Sequence, residues 1–432
     1  PEVAAEVRRE CDAWLYLWHD HGIGIAVDQL TDGREGLHCE ITVQALDQSC
    51  EAGGHLHWAR LNLSSTTTRA SLAKHLQTRD DRIPWHELLE VVCTKTAREF
   101  RAGEPLVDLR DVVVPPGPRA LLWPLLPDNE TTILFGPGGT MKSTFALALG
   151  LSIRAGVRIP PLQAPERTGP ILYLDWESNK VEHRERLGWL SQGLRLDEIP
   201  AGIHYRQMHR GVYEDQATLK RLRAEVGAEL VIYDSAAGAC AGDLNDGDVV
   251  VRSLQAMRAI GGTRLVIAHM SAAEVARKTG PSRPTGNEAF VNQARNLWEV
   301  RSGEDERELP NEAERVMGLF QRKVNRGRKM LRPLTLGINW TDDEVRLFPV
   351  DLAADETVAE HAGLNYRIRE ALRSGAKSAA ELAETLSTEG QTLKPQSLSR
   401  ALQRMNGQVV RVDDGEYGRG HEARWGLLGL VK

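Results

Sequence analysis

The stretch GPGGTMKST at residues 136–144 constrains the fold of this chain more than any other feature of the sequence. It matches the phosphate-binding pattern G-x-x-x-x-G-K-[ST] at every defined position except residue 141, where methionine replaces glycine. A predicted strand, TILF, runs into Gly136, and an apolar helix is predicted to begin at Lys142. A glycine-rich turn between a strand and a helix predicts a P-loop in an α/β fold.

A P-loop binds nucleotide phosphates through its backbone amides and through the free N–H groups at the start of its helix. Lys142 is expected to reach the β- and γ-phosphates, and Ser143 to ligate Mg²⁺. The alternative is a glycine-rich turn that binds no ligand. The predicted nucleotide site consists of nine consecutive residues: Gly136, Pro137, Gly138, Gly139, Thr140, Met141, Lys142, Ser143 and Thr144.

Methionine at position 141 raises the question of whether this loop works. The groups that bind phosphate are backbone N–H groups, which methionine also has. If the φ angle at Met141 must be positive, the strain is about 1–2 kcal/mol. We expect such strain to weaken nucleotide binding without abolishing it.

Short apolar runs alternate with predicted helices from residue 131 onward, and this alternation predicts βαβ units on a parallel sheet. Ligands bind at the carboxyl ends of such strands. LVIYDS ends in Asp234, a candidate acid for the water shell of Mg²⁺, and LVIAHMS ends near His269, a candidate γ-phosphate sensor. ILYLDWES supplies Glu177 as a candidate general base, whereas Asp175 is a candidate structural residue.

These motifs, in this order, resemble the RecA-fold ATPases of the RepA-like replicative-helicase group, relatives of DnaB-type hexameric helicases. The resemblance covers residues 119–350 and extends through TGNEAFVNQARNLWEV and QRKVNRGR. It implies that Lys142 and Ser143 bind ATP and Mg²⁺, that Glu177 is the catalytic base, and that Asp234 is the Walker B acid. It also implies that Lys323 and Arg326 reach the γ-phosphate of a neighbouring subunit in a homo-oligomeric ring, expected to be a hexamer.

The segment FQRKVNRGRKMLR concentrates positive charge in a protein whose net charge is -6. It follows the core strands, where an arginine finger would act on a neighbour's phosphate. The alternative is a solvated strand edge. The six cations are Arg322, Lys323, Arg326, Arg328, Lys329 and Arg332.

The loop SAAEVARKTGPSRPTGN is a candidate contact for single-stranded DNA. It presents Arg277, Lys278 and Arg283 among small and polar residues, which suits a grip on phosphates without reading of sequence. An ordinary surface loop is equally consistent with this composition. The acidic loop AAGACAGDLNDGD is the poorer candidate.

Residues 363–432 have the pattern of a winged helix: three helices followed by a hairpin. Eleven lysines and arginines against eight acids give this segment a net charge of +3. It resembles the winged-helix DNA-binding domains of bacterial regulators and replication proteins, although such domains also dock proteins. The candidate duplex contacts are Lys394, Ser397, Ser399, Arg400, Arg404 and, on the wing, Arg419.

The predicted organisation is thus a RecA-like P-loop NTPase core of α/β class at 119–350, a mixed α+β accessory domain at 1–118, an acidic linker at 351–362 and a winged helix-turn-helix domain at 363–432. Within the first domain, apolar spacing predicts a helix at EVRRECDAWLYLWHDHG. The same domain contains two predicted strands, GLHCEITVQAL and GHLHWARLNLSS. The sequence shows neither a membrane span nor a signal peptide, so a cytoplasmic protein is expected. Five cysteines without a C-x-x-C pair are expected to be reduced.

Three functions fit this organisation. The first is a plasmid- or phage-type replicative helicase or helicase loader, with DNA and replication proteins as partners. The second is an ATP-switched DNA-binding regulator or replication initiator, in which ATP controls assembly rather than translocation. The third is a recombination accessory resembling the bacterial RadA proteins.

Overall fold

The computed structural model has two compact units, Pro1–Gly117 with Ala217–Ala224, and Pro118–Gln216 with Glu225–Lys432. No helix in the described part of the chain is long and apolar enough to cross a membrane. The structure describes residues 5–10, 13–33, 35–46, 54–103, 106–114, 119–276, 282–303, 307–309, 312–325, 329–330, 332–352, 358–359, 361–387, 392–405, 407–412 and 423–429.

The N-terminal unit is built on an antiparallel sheet in the order β1-β2-β3-β4-β5. Helices α1 (Thr66–Gln77) and α2 (Trp85–Ala102) share one apolar core with this sheet. The strands are β1 (Glu6–Glu10), β2 (Ala13–Trp18), β3 (Ile23–Gly33), β4 (Gly36–Ala45) and β5 (His55–Asn62).

The helical spacing at the start of the chain is a wrong prediction, because β1 and β2 occupy that segment as an antiparallel pair. Trp14, Tyr16 and Trp18 are buried at every second position, which is the period of a strand. Aromatic residues favour strands when they fill a half-buried sheet surface, and here the sheet core overrides the helix-like spacing.

The second unit contains a large sheet in the order β10-β9-β11-β12-β8-β13-β15-β16-β17, with β14 paired to β15. The strands from β10 to β13 in this order run parallel, and β15, β16 and β17 extend the sheet in antiparallel fashion. The strands are β6 (Ala120–Leu122) and β7 (Leu126–Pro127), which form a separate pair, and β8 (Thr131–Gly136), β9 (Ile171–Asp175), β10 (Ile203–Gln207), β11 (Leu230–Asp234), β12 (Thr263–His269), β13 (Asn296–Ser302), β14 (Arg307–Leu309), β15 (Glu312–Val324), β16 (Leu334–Trp340) and β17 (Val345–Pro349).

Helices connect the parallel strands, as the alternating pattern predicted. The strands β8, β9 and β11 are buried along their whole length, which is typical of a parallel sheet covered on both faces. The helices are α3 (Lys142–Ala155), α4 (Lys180–Gly193), α5 (Gln216–Val226), α6 (Ala236–Cys240), α7 (Gly247–Ile260), α8 (Ala272–Val275) and α9 (Ala289–Gln293).

The direction of β15 determines which of its side chains lie near the P-loop. The strand is antiparallel to β13, which is itself parallel to β8. The start of β15 therefore lies at the carboxyl edge of the parallel strands, where β8 ends in Gly136, and the end of β15 lies at the opposite edge.

The C-terminal segment consists of helices α10 (Leu364–Ala371), α11 (Ala379–Leu386) and α12 (Pro395–Arg404) with a small sheet in the order β18-β20-β19. Its strands are β18 (Lys377–Ser378), β19 (Val409–Val412) and β20 (Arg424–Leu427). Ser378 and Glu381 form a capping box at the start of α11. A separate apolar cluster holds the three helices together.

The described residues of the predicted acidic linker, 351–352, 358–359 and 361–362, are anchored to the large sheet. Leu352, Val358 and Ala362 are buried in one cluster with Phe320 of β15 and Tyr366 of α10. The sequence pattern missed this contact because the apolar residues are few and lie among acids and alanines.

The three cysteines in the described part of the chain, Cys39, Cys93 and Cys240, are free thiols in buried positions. Cys11 and Cys50 lie outside the described residues. Burial raises the pKa of the Cys39 and Cys93 thiols to about 12, which keeps both protonated at neutral pH.

Candidate functional site

The predicted P-loop connects the end of β8 to the start of α3. Gly136 has to be glycine, because a Cβ there would lie 2.4 Å from the carbonyl oxygen of Val300 on β13. Thr140 closes the turn by donating its hydroxyl hydrogen to the carbonyl of Pro137 at 2.9 Å. The helix begins at Lys142, so the free amides of its first turn point at this loop.

Met141 adopts the left-handed conformation, with φ at 60° and ψ at 25°. Gly139 also has positive φ, at 73°, so the loop contains two left-handed residues on either side of Thr140. The strain anticipated for methionine is therefore present, at about 1–2 kcal/mol. The Met141 side chain is partly buried against the core cluster that includes α3, and this packing offsets part of that strain.

Lys142 is only 4% exposed, although it carries the charge that a P-loop offers to phosphates. Its Nζ donates to the carbonyls of Gly136 at 3.1 Å and Pro137 at 2.6 Å, and to the Thr140 hydroxyl at 3.3 Å. Burial lowers the pKa of Lys142 to about 8, against the attraction of Asp234 and Glu177. The ammonium therefore lies at the P-loop within the field of both predicted acids.

Asp234 is buried at the end of β11, and the peptide bond that follows it is cis. Its Oδ2 accepts a 2.6 Å hydrogen bond from the Tyr173 hydroxyl. Burial raises the pKa of Asp234, and the hydroxyls of Tyr173 and Ser143 oppose that shift.

These residues fit the Mg²⁺ ion that a P-loop site uses. Oδ1 of Asp234 is buried and accepts no hydrogen bond of standard geometry from any described residue. The hydroxyl of Ser143, at the start of α3, lies at the same carboxylate. A carboxylate and a hydroxyl are hard oxygen donors of the kind that Mg²⁺ prefers.

Asp175 is a structural residue rather than a second reactive acid. Its carboxylate accepts the backbone N–H groups of Glu177 at 2.9 Å and Ser178 at 3.1 Å. It also lies 3.0 Å from Nε2 of His183 and accepts the Tyr205 hydroxyl at 2.9 Å. Although burial acts in the opposite direction, these hydrogen bonds lower the pKa of Asp175 to about 2.

Glu177 projects from the turn that Asp175 holds, and its side chain is 46% exposed. Its Oε1 accepts a hydrogen bond from the hydroxyl of Ser235, the residue after Asp234, and lies 3.4 Å from Nε2 of His269. The contact with His269 is the main cause that lowers the pKa of Glu177. Glu177 is therefore an ionised, solvent-accessible carboxylate, as a general base requires.

His269 of β12 pairs with Gly136 of β8, which places it beside the P-loop. Its contact with Glu177 brings these two predicted side chains together there. Lys142, Glu177, Asp234 and His269 thus lie at one edge of the sheet, as the sequence predicted from the strand ends.

Lys323 lies elsewhere in the sheet. It pairs with Leu297 near the start of β13, at the edge opposite the P-loop. Its Nζ donates to the carbonyls of Val291 at 2.8 Å and Asn292 at 3.0 Å, where α9 ends. Lys323 therefore does not act on the nucleotide site of its own chain, and Arg326 lies outside the described residues.

Arg315 of β15 contacts the P-loop, and the sequence pattern did not indicate this contact. Its Nη1 donates to the carbonyl of Gly139 at 2.9 Å. The position follows from strand direction, because the start of an antiparallel β15 lies at the carboxyl edge of the parallel strands. The pattern of RVMGLFQRKV predicts a strand in an antiparallel extension of the sheet, which the pairing with β13 confirms, but it does not give the register that places Arg315 at the P-loop.

The predicted DNA contacts are only partly within the described residues. Arg283 pairs with Glu288 at 2.5 Å, whereas Arg277, Lys278 and Arg419 lie outside the described ranges. On and before α12, the exposed candidates are Lys394, Ser397, Arg400 and Arg404, and Ser399 is half-buried. One face of α12 therefore presents cations and hydroxyls to solvent.

The sequence profile of the AAA domain family matches residues 96–274, which include the P-loop, Glu177, Asp234 and His269. A KaiC-like protein from Pyrococcus horikoshii, whose crystal structure is known, is 17% identical; the match covers 53% of this chain and 94% of that chain, with a TM-score of 0.37. The search of curated proteins finds no match. The family match covers less than half of the chain, and together with the parallel-rich α/β sheet it supports a P-loop ATPase core, a kind of site that generally uses ATP and Mg²⁺.

Proposed function

We propose that this chain is a DNA-associated ATPase that assembles as a ring, of the RepA-like hexameric replicative helicase or helicase-loader type. One observation carries the ATPase part of the proposal: Lys142, Asp234, Glu177 and His269 lie together at the carboxyl edge of the sheet beside the P-loop. ATP would bind to the loop amides and Lys142, and Mg²⁺ to Ser143 and Asp234.

The residues of this chain have separate parts in hydrolysis. Mg²⁺, when bound, neutralises charge that develops on the phosphates. Glu177 accepts a proton from the attacking water, and Ser235 and His269 orient its carboxylate. Asp175 fixes the turn that carries Glu177 by accepting the backbone N–H of that residue.

Hydrolysis at a subunit interface is proposed from the position of the basic segment. Lys323 lies at the edge of the sheet opposite its own P-loop, so a phosphate that it contacts would belong to a neighbouring subunit. A finger supplied by a neighbour makes each site incomplete in the monomer. Single-stranded DNA would contact the loop that carries Arg277, Lys278 and Arg283, and duplex DNA the exposed face of α12 in a winged-helix domain.

The test is steady-state ATP hydrolysis as a function of protein concentration, with and without single-stranded DNA. We expect turnover per subunit to rise with both, and Arg326→Ala to keep ATP binding and lose hydrolysis. Arg332→Ala, an exposed cation of the same segment, is the matched control and should hydrolyse ATP normally. Turnover that is independent of concentration and DNA would contradict the ring helicase.

A second candidate is an ATP-switched DNA-binding regulator without helicase activity, and β15 favours it. At the start of β15, Arg315 donates a hydrogen bond to the P-loop. Further along the strand, Phe320 lies in one apolar cluster with Val358 and with Tyr366 of the C-terminal helix α10. One strand thus contacts both the nucleotide site and the proposed DNA-binding segment. Site-specific duplex binding that depends on ATP, without strand displacement, would support this candidate instead.

A further inference from the structure

Tyr173 is a buried residue of β9 whose hydroxyl reaches the neighbouring strand. In the parallel pair of β9 and β11, Tyr173 is opposite Ile232, and Asp175 is opposite Asp234. Tyr173 is therefore diagonal to Asp234, two positions along the same face, where long side chains of adjacent strands can meet. The result is the 2.6 Å hydrogen bond from the tyrosine hydroxyl to Oδ2 of Asp234.

The ring of Tyr173 is held in place from the other side. It packs against His183 of α4 with ring centroids 4.6 Å apart, and against Tyr205 of β10 at 6.5 Å. Tyr173 is only 1% exposed, so its hydroxyl cannot rotate away into solvent. A fixed donor on Oδ2 fixes the plane of the Asp234 carboxylate.

The two oxygens of Asp234 consequently have different environments. Oδ2 is satisfied by Tyr173, whereas Oδ1 is buried and has no partner of standard geometry among the described residues. Ser143, the other predicted ligand of Mg²⁺, lies at the same carboxylate. Partners that hydrogen-bond a metal-binding carboxylate orient it and raise its affinity for the metal.

We propose that Tyr173 is a positioning residue for the Mg²⁺ site, which holds Oδ2 of Asp234 so that Oδ1 is available to the metal. This inference rests on the proposed ATP·Mg²⁺ site. Tyr173 contacts neither nucleotide nor metal, and it acts only through Asp234.

The chain offers a matched control for this proposal. Tyr205, on the next strand, donates its hydroxyl to Asp175 at 2.9 Å, just as Tyr173 donates to Asp234. Tyr205→Phe and Tyr173→Phe remove the same atom from the same side-chain network. They differ in whether the carboxylate affected is the structural Asp175 or the metal-site Asp234.

The experiment is calorimetric titration of ADP into the wild type and both variants, once with Mg²⁺ and once with EDTA. For Tyr173→Phe we expect the Mg²⁺-dependent gain in ADP affinity to fall by about 10- to 100-fold, with unchanged affinity in EDTA. Tyr205→Phe should match the wild type in both buffers.

Each other result overturns the proposal. An unchanged Mg²⁺ gain in Tyr173→Phe, an equal loss of affinity with and without Mg²⁺, or the same effect in Tyr205→Phe would each show that Tyr173 is only a packing residue. Failure of the wild type to bind ADP in either buffer would instead refute the nucleotide site itself.

A second variant pair covers the case in which Tyr173→Phe does not fold. Removing both partners of a buried hydrogen bond costs less stability than leaving one unpaired. The double variant Tyr173→Phe, Asp234→Leu, in which leucine replaces the carboxylate by an apolar group of similar size, is therefore compared with Asp234→Leu alone. If the Mg²⁺-dependent gain in ADP affinity is equal in these two variants, Tyr173 acts through Asp234. A smaller gain in the double variant overturns the proposal.

Discussion

Replacing Lys142 with methionine should reveal that the P-loop lysine lowers the stability of its own fold. The ammonium is 4% exposed, and burial lowers its pKa from 10.5 to about 8. In the unfolded chain the lysine keeps its proton up to about pH 10.5. Between these values the unfolded state binds more protons, so stability rises with pH across this window, and below about pH 8 the cost is complete.

The size of the effect follows from the two pKa values. At pH 7 the charged lysine costs on the order of 3 kcal/mol, and at pH 10 less than about 1 kcal/mol. Lys142→Met removes this cost but also removes the hydrogen bonds to Gly136, Pro137 and Thr140. The loss of these hydrogen bonds does not depend on pH. The pH dependence of the difference in unfolding free energy between the two proteins therefore reports the buried charge alone.

The assay is urea unfolding of both proteins between pH 7 and pH 10, without nucleotide. We expect the stability of Lys142→Met relative to the wild type to fall by about 2 kcal/mol across this range. A difference in unfolding free energy that stays constant from pH 7 to pH 10 would refute the reasoning, because Lys142 would then titrate as an exposed lysine.

Substitutions at three positions test the geometry of the loop. Gly136→Ala should lower the unfolding free energy by about 1–3 kcal/mol, because its Cβ would lie 2.4 Å from the carbonyl oxygen of Val300; an unchanged melting temperature would contradict this contact. Met141→Gly should be more stable than Met141→Ala by about 1 kcal/mol, since only alanine keeps a Cβ in the left-handed conformation; equal melting temperatures would argue against the positive φ. Arg315→Ala should weaken ATP binding by about two- to tenfold in calorimetry, and Arg315→Lys by less, because a lysine can still donate to Gly139; identical affinities would show that the contact does not support the loop.

The sequence indicates which residues of the predicted nucleotide site lie together because the pattern of that site is local. A strand, a glycine-rich turn and a helix define the P-loop within a dozen residues. Glu177, Asp234 and His269 each follow an apolar run, and parallel strands bring such ends to one edge. Only the φ angle of Met141 needed the structure, because the sequence does not show whether the loop imposes the positive φ that methionine disfavours.

The residues that the sequence did not reveal depend on pairing between distant segments. Arg315 and Lys323 belong to one basic, alternating strand, and only its antiparallel register shows that Arg315 is the residue at the P-loop. Tyr173 lies inside an apolar run, so the sequence predicts only a core residue. Its hydrogen bond is made to another strand and is therefore not visible in the sequence. The spacing around Trp14 and Tyr16 predicts a helix because spacing alone does not show the sheet that buries these residues.

Glu177 is the proposed general base of an assembled ATP site, and the proposed ATPase depends on it most directly. The decisive measurement is single-turnover hydrolysis and equilibrium binding of ATP by the wild type, Glu177→Gln and Glu182→Gln. Glu182, a nearby acid paired with Arg186 on α4, is the control and should behave as the wild type. We predict that Glu177→Gln binds ATP with unchanged affinity and hydrolyses it at least about 100-fold more slowly. Hydrolysis by Glu177→Gln at the wild-type rate would show that Glu177 is not the general base.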